Sequence, residues 1–320
     1  MSAICNFGAN LKYCNLPVLD KKDSAFKSGA KLVLKIGLSA LAIYLVFTKI
    51  EIRTLWDLIR TANWLWLLLA FLLYNLSKVL SAFRLLALIR NLGIDIDHWY
   101  NLKLCYVGMF YNLFLPGGVG GDAYKVVHLK RRFDVKAKHM VAAVLVDRIS
   151  GAAILVFLGL GFAVAIPAFF DPFPAWTYPL AILALIACLP ALALLIWLVF
   201  RIFWKSFYVV TGWSFCVQFV QVVCAWVILL AFEVDSQFMI YSVLFLLSSL
   251  ASMLPISFGG VGLRELVFLY ASQYFAIDET AAIALGLMYF LVIAASSFIG
   301  IFVKLPGVES SVESEVPDQV

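Results

Sequence analysis

Apolar and polar residues alternate along the chain in long blocks, which give eight apolar segments separated by short polar stretches. The segments cover residues 32–48, 63–90, 99–115, 138–166, 177–204, 207–232, 237–254 and 279–303. Most of them approach or exceed the roughly 20 apolar residues that a helix needs to cross a bilayer. Short helices are also predicted at 121–132 and 261–275. The pattern therefore predicts an all-α polytopic integral membrane protein.

Two of the apolar segments end in near-copies of one motif. Residues 115–125 read LPGGVGGDAYK, and residues 254–265 read LPISFGGVGLRE. When Pro116 and Pro255 are aligned, a Gly-Gly pair follows four and five residues later in both copies, and a basic residue follows nine later. Proline and paired glycines interrupt helices, and irregular backbone at membrane depth is tolerated only where protein or a water-filled cavity covers it. Interrupted helices at corresponding positions of two halves are typical of a transport site between repeats.

The two segments that end in this motif are short. Each has about 17 residues, the lower limit for a full crossing, so each is predicted to be the first arm of a re-entrant helical hairpin. Six full spans and two hairpins result. Three spans separate the hairpins, so the second enters from the opposite face, in an inverted repeat with halves at about 63–166 and 207–303. The alternative is two complete crossings, which would spoil the asymmetry of basic residues after residue 120.

Lysine and arginine accumulate in the loops that this topology places on one side. Residues 1–30 are polar and rich in lysine, whereas residues 167–176 contain no basic residue. A basic run follows the first hairpin and consists of Lys130, Arg131, Arg132, Lys136 and Lys138. By the positive-inside rule we expect both termini in the cytoplasm. From the apolar pattern and the composition we expect a single transmembrane domain over 31–304 and a short acidic, disordered tail over 305–320.

Composition narrows the function classes. Apolar residues make up 64% and charged residues 13% of the chain, and the mean hydropathy is +1.00. Soluble domains carry about 25% charged residues. The six cysteines form no CxxC motif and the three histidines are widely separated. We therefore expect no metal site, no cofactor and no nucleic-acid partner.

The glycine clusters are candidate phosphate sites. Glycines let backbone N–H groups approach a ligand, and a helix N-terminus favours an anion. Asp122 is predicted to be the N-cap of the helix after the first cluster, and Lys125 adds a positive charge one turn later. The alternative is that the glycines only turn the hairpins. The backbone candidates are Gly117, Gly118, Gly120, Gly121, Gly259, Gly260 and Gly262.

Charged residues inside the spans cost about 3 kcal/mol each to insert, so each is a functional candidate. Arg148 lies about 10 residues into its segment, roughly 15 Å deep by helical rise. It is predicted to hold a headgroup phosphate, or else to pair structurally with Asp122 or Glu265. Arg264 and Glu265 face the same choice, and ion pairing between the repeats is the alternative for them. Lys78 is expected to snorkel to the interface. The candidate substrate-binding residues are Arg148, Lys125, Arg264, Asn112 and Arg84, and the candidate coupling or structural carboxylates are Asp122, Asp147 and Glu265.

Three stretches in this order resemble the lysylphosphatidylglycerol synthase transmembrane, or flippase-like, family. They are the run from Asn112 through Asp122 to Lys125, the sequence VDRISG at 146–151, and FGGVGLRE at 258–265. The resemblance covers approximately 35–305. It implies that Asn112, Asp122, Asp147, Arg148, Arg264 and Glu265 are the motif residues. Lys125 stands where the family often has arginine; it keeps the charge and loses bidentate phosphate recognition.

The resemblance also implies a function. In the best understood family members this domain precedes a soluble transferase that attaches lysine to phosphatidylglycerol, and it is implicated in moving the modified lipid between leaflets. Only 16 residues follow Lys304 here, so we expect no transferase domain and no enzyme activity.

The leading hypothesis is a translocator of an anionic phospholipid or a polyprenyl-phosphate glycolipid in a bacterial inner membrane, with a separate transferase as candidate partner. The alternatives are a transporter of a small soluble anion and an accessory subunit of a lipid-modifying enzyme.

Overall fold

The computed structural model describes residues 52–114, 120–133, 135–253, 262–275, 277–303 and 305. In these residues the chain forms ten α-helices. They are α1 (Ile52–Thr61), α2 (Trp64–Arg90), α3 (His98–Phe114), α4 (Gly120–Arg132), α5 (Ala137–Val164), α6 (Thr177–Val199), α7 (Phe207–Ala231), α8 (Phe238–Ser252), α9 (Leu263–Ser272) and α10 (Glu279–Phe302). Two 3-10 turns, Pro167–Phe170 and Arg201–Ser206, precede α6 and α7.

Five of the described helices are long and apolar enough to cross a membrane. They are α2, α5, α6, α7 with the 3-10 turn before it, and α10. The predicted spans at these positions are confirmed, and so is the all-α polytopic fold. The predicted first span, 32–48, lies outside the described residues.

Side-chain caps fix the starts of two spans. The Asn63 carboxamide accepts a hydrogen bond from the Leu65 N–H at 3.0 Å, at the start of α2. The Asp278 carboxylate accepts from the N–H groups of Thr280 and Ala281 at 2.8 and 3.1 Å, at the start of α10. Such caps satisfy backbone donors that the first helical turn leaves unpaired, so polar residues set these helix starts within apolar sequence.

The two halves repeat one pattern of helix lengths. In the first half α2, α3, α4 and α5 have 27, 17, 13 and 28 residues. In the second half α7, α8, α9 and α10 have 25, 15, 10 and 24 residues. Each half is thus a long helix, two short helices and a long helix, and the predicted helices after the glycine clusters are confirmed as α4 and α9. The re-entrant, inverted topology of the short pairs stays a prediction.

Contacts between the halves are reciprocal. Helix α2 packs along α7, so the first helices of the halves meet each other. Helix α3 packs on α10 and α8 packs on α5, so the first short helix of each half contacts the last long helix of the other half. Helix α6 is peripheral: 11% of its most apolar stretch is buried, against 56% for α7 and α10. The hydrophobic core therefore contains side chains from both halves, with Ala70, Ile154, Ile228, Phe245 and Ile283 among them.

The contact between α3 and α10 depends on Gly300. A Cβ built on Gly300 would overlap the carbonyl oxygen of Tyr106 and lie 2.9 Å from the Cβ of Phe110. The backbones of α3 and α10 approach this closely because glycine has no side chain. Small residues allow such close approach between membrane helices.

We expect Gly300→Ala to lower the free energy of unfolding by about 1–3 kcal/mol, because the added methyl group must push α3 away from α10. Thermal unfolding of the purified protein in detergent measures the change. Gly212→Ala is the matched control, since a Cβ at Gly212 would meet nothing within 4 Å. The control should be neutral or slightly stabilising, because alanine favours a helix by about 0.5–1 kcal/mol over glycine. Equal effects of the two substitutions would contradict the close contact.

Candidate functional site

A polar cavity lies at the centre of the bundle, between the two halves. Its volume is about 330 Å³. Its walls come from the four long helices α2, α5, α7 and α10 and from the three short helices α3, α8 and α9. Four basic side chains line it: Lys78, Arg84, Arg148 and Arg264. The predicted candidates Arg84, Asn112, Arg148 and Arg264 are thus brought to one cavity.

Arg84 forms a buried, bidentate ion pair with Asp147. Its Nε and Nη2 atoms donate to the two carboxylate oxygens at 2.7 and 3.0 Å, and its Nη1 atom donates to the Ser214 hydroxyl at 3.2 Å. The Arg84 and Asp147 side chains are 8% and 15% exposed. A Cβ built on Gly151, one turn after Asp147, would lie 3.0 Å from Nη1, so glycine makes room for the guanidinium. The pair joins α2, α5 and α7.

Asp122 binds two cations and joins the first short-helix pair to a span. Arg148 of α5 donates from Nε to one oxygen of Asp122, and the Lys125 ammonium lies 3.4 Å from the other. Of the alternatives for Arg148, structural pairing with Asp122 is therefore present, and Arg148 also lines the cavity. The N-cap prediction for Asp122 is wrong, because α4 begins at Gly120 and places Asp122 in its first turn.

Asn112 links the end of α3 to the start of α4. Its Oδ1 atom accepts a hydrogen bond from the Gly121 N–H at 2.8 Å. A Cβ on Gly121 would overlap the carbonyl of Gly108, so the two helices are in backbone contact at this pair of glycines. Gly121 therefore has a packing role, and Asn112 has a structural role in addition to its place in the cavity wall.

Glu265 shapes the start of α9 in the second half. One of its oxygens, Oε2, accepts from the Gly262 N–H at 2.7 Å. Gly262 has a φ of +86°, a conformation that side chains disfavour. The other oxygen, Oε1, is buried and has no hydrogen-bond partner among the described residues. It faces Gly286 of α10, on which a Cβ would lie 3.4 Å from it.

Arg264 has aromatic rings and a hydroxyl around it. Its guanidinium carbon lies 4.8 Å from the centroid of the Tyr289 ring and 5.6 Å from that of Phe245, and Nη1 donates to the Ser249 hydroxyl at 3.2 Å. Within the part of the chain that the structure describes, no carboxylate forms an ion pair with Arg264. The predicted pairing between the repeats is therefore absent there.

Lys78 lies in the cavity wall, with its ammonium 4.5 Å from the centroid of the Tyr74 ring. The prediction that Lys78 snorkels to the interface is wrong, because the side chain turns toward the cavity and a tyrosine four residues earlier in α2. Sequence reasoning also missed Tyr74 and Tyr289, which carry no charge and are common in membrane helices.

Gly117, Gly118, Gly259 and Gly260 lie outside the described residues. The described residues contain no group of three or more His, Cys, Asp or Glu that could hold a metal ion.

The fold and the cavity define a polytopic helical membrane protein with a basic internal site. The chain belongs to the family described as the lysylphosphatidylglycerol synthase TM region, whose model matches residues 32–205. The second glycine motif lies beyond the matched residues, so its assignment rests on its likeness to the first.

Two relatives carry the name of UPF0104 membrane proteins. The chain is 32% identical to one from Archaeoglobus fulgidus over 114 residues, which is 36% of this chain and 34% of that protein. It is 30% identical to UPF0104 membrane protein PH1989 from Pyrococcus horikoshii over 138 residues, which is 42% of this chain and 41% of that protein. The matched stretches thus span less than half the length of these curated relatives.

We expect Asp147→Ala to destabilise the fold by about 3–5 kcal/mol, because it leaves the Arg84 guanidinium buried without its carboxylate. Chemical unfolding in mixed micelles measures the loss. The matched control is Asp95→Ala, which removes a pair with Arg90 whose side chains are 91% and 48% exposed. An exposed pair contributes at most about 1 kcal/mol. A loss for Asp147→Ala no larger than that of the control would contradict the structural role of the buried pair.

Proposed function

We propose that this protein translocates an anionic lipid or lipid-linked intermediate, such as an anionic phospholipid or a polyprenyl-phosphate glycolipid, across a bacterial inner membrane. The observation that carries the proposal is the central cavity with four basic side chains in its wall. Buried charges within membrane helices are costly and mark substrate pathways more often than they add stability. A bound phosphate would offset part of the free-energy cost of burying these charges.

The Asp122 ion pairs suggest how a headgroup enters the cycle. Arg148 and Lys125 both bind Asp122, and the Arg148 side chain is the more exposed member of its pair, at 29% against 11%. A phosphate that reaches Arg148 competes with the Asp122 carboxylate for the same N–H donors. Displacement of Asp122 would release α4 from α5, so headgroup binding and movement of the first hairpin are linked in this proposal.

The glycine motifs supply the points of movement. Gly121 holds α4 against α3, and Gly262 begins α9 with a left-handed φ. Together with the other glycines of the two motifs they act as hinges for the hairpin tips. Asp122, Asp147 and Glu265 are the carboxylates whose protonation can couple transport to a proton gradient, with both termini in the cytoplasm.

The cavity size also supports a second candidate, a transporter for a small soluble anion. A volume of about 330 Å³ holds a headgroup but not the acyl chains of a lipid, and it equally holds a small organic anion. Small-molecule sites range upward from about 300 Å³. The two candidates differ in whether lipid chains remain in the bilayer during transport, and transport assays with both substrate types separate them.

Leaflet exchange in liposomes tests the proposal. The purified protein is reconstituted with fluorescent phosphatidylglycerol or a fluorescent polyprenyl phosphate, and exchange is followed by quenching of the outer leaflet. We expect protein-dependent exchange, and we expect Arg148→Ala to slow it at least about tenfold, since a charge-assisted hydrogen bond contributes about 1.5–3 kcal/mol. Arg90→Ala, at an exposed arginine outside the cavity, is the matched control.

The possible outcomes separate function from site. If neither phospholipids nor polyprenyl phosphates exchange in the presence of the folded protein, the translocator is wrong. Uptake of a radiolabelled small anion in the same liposomes then supports the second candidate. Equal exchange by wild type and Arg148→Ala would retain the function and remove Arg148 from the site.

A further inference from the structure

We propose that Arg264 holds the phosphate of a net-anionic, hydroxyl-rich headgroup, that Lys78 adds positive potential at the other end of the same wall, and that the cavity rejects a headgroup carrying a cationic lysine ester. The inference rests on the proposed function and names its substrate class. It assigns the ligand to the two cations of the cavity wall that have aromatic neighbours, and leaves the two carboxylate-paired arginines as structural and gating groups.

The Arg264 guanidinium has N–H groups that form no hydrogen bond with the described residues. A guanidinium carries five N–H donors. Among the described residues one hydrogen bond uses them, from Nη1 to the Ser249 hydroxyl. Arg264 is 6% exposed and forms no ion pair among the described residues; its neighbour Glu265 offsets only part of the charge, and a buried cation of this kind is costly unless a partner arrives. The rings of Tyr289 and Phe245 contact the guanidinium and hold it in place, and they do not neutralise its charge.

Lys78 is connected to Arg264 by two tyrosines. The Lys78 ammonium lies 4.5 Å from the Tyr74 ring centroid, the Tyr74 and Tyr289 centroids lie 5.7 Å apart in an edge-to-face pair, and Arg264 lies 4.8 Å from Tyr289. No carboxylate of the described residues pairs with Lys78. The two cations therefore stand at the ends of one aromatic wall of the cavity.

The charge of the cavity wall favours an anion. Its described lining includes four basic residues and no aspartate or glutamate. Arg84 and Arg148 are paired with Asp147 and Asp122, so the positive charge of Lys78 and Arg264 is what remains for a ligand.

The rest of the polar wall is neutral and can hydrogen-bond to hydroxyl groups. The side chains that do this are Ser81, Ser249, Ser252, Ser297, Gln218 and Gln221. The Oε1 atom of Gln218 is buried without a hydrogen-bond partner among the described residues. Glycerol or sugar hydroxyls suit such a wall. A lysine ester adds two amino groups, and here they would meet Lys78 and Arg264, whose charge no ion pair among the described residues neutralises, which costs affinity by like-charge repulsion.

Binding in detergent tests the selectivity directly. The probes are dioctanoyl phosphatidylglycerol and its lysyl ester, which share the glycerophosphate and differ in charge, titrated into the purified full chain by calorimetry. We expect the wild-type protein to bind phosphatidylglycerol at least roughly tenfold more tightly than the lysyl ester. Equal affinity, tighter binding of the lysyl ester, or binding of neither probe would overturn the inference.

Two substitutions test the residues. Lys78→Gln and Arg264→Gln should each weaken phosphatidylglycerol binding at least roughly tenfold and bring the two affinities closer together. The matched control is Arg201→Gln, since Arg201 also lies over a ring, that of Trp197, but outside the cavity. If Arg264→Gln does not fold, Arg264→Lys retains the charge and should keep the preference for phosphatidylglycerol. Affinities that match the Arg201→Gln control would remove Lys78 and Arg264 from the site.

The liposome assay keeps the two proposals apart. Tight, selective binding of phosphatidylglycerol without leaflet exchange would refute translocation and support the phosphate site. Exchange of phosphatidylglycerol and the lysyl ester at equal rates, with equal affinities, would support translocation and refute the selectivity.

Discussion

The ion pairs on Asp122 and Asp147 determine how the centre of the molecule is built. A carboxylate or guanidinium removed from water costs several kcal/mol, and mutual pairing recovers this only with good geometry. Each carboxylate here has its cation on a different helix: Asp122 of α4 binds Arg148 of α5, and Asp147 of α5 binds Arg84 of α2. The charges are therefore neutralised only when these helices pack together. Helix α5 takes part in both pairs, through Asp147 in one and Arg148 in the other.

These pairs do not use all the positive charge in the cavity wall. Apolar side chains of comparable volume would fill a membrane bundle at lower cost, which is why we propose that this cavity serves a ligand. We propose that Lys78 and Arg264 serve the ligand, and that Arg148 gates the site by exchanging Asp122 for a headgroup that reaches it. Arg84 and Arg148 hold helices together, whereas Lys78 and Arg264 contact rings that orient them and leave their charge available.

Much of the fold is predictable from the sequence, and the contacts are not. Hydrophobic periodicity and length identify the spans, and the glycine motifs identify the starts of α4 and α9, because both signals are local. Which side chains form ion pairs depends on how helices that are far apart in the sequence cross each other. Asp147 and Arg148 are neighbours, yet they bind residues of α2 and α4. Lys78 was misplaced for the same reason, since the cavity that it lines is formed together with residues of other helices. Gly108 gave no signal, because its contact with Gly121 is visible only once α3 and α4 are paired.

The reciprocal packing of the halves has an evolutionary consequence. Because α3 lies on α10 and α8 lies on α5, each half lends its first short helix to the other, as subunits do in a domain-swapped dimer. Such an arrangement follows naturally when a gene encoding one half is duplicated and fused after its product had already formed a homodimer. The core cluster around Ile154 and Ile228 accordingly contains side chains of both halves. The two copies of the glycine motif are free to diverge in sequence, as PGGVGGD and PISFGGVG have done, while the interface between the copies preserves their common architecture.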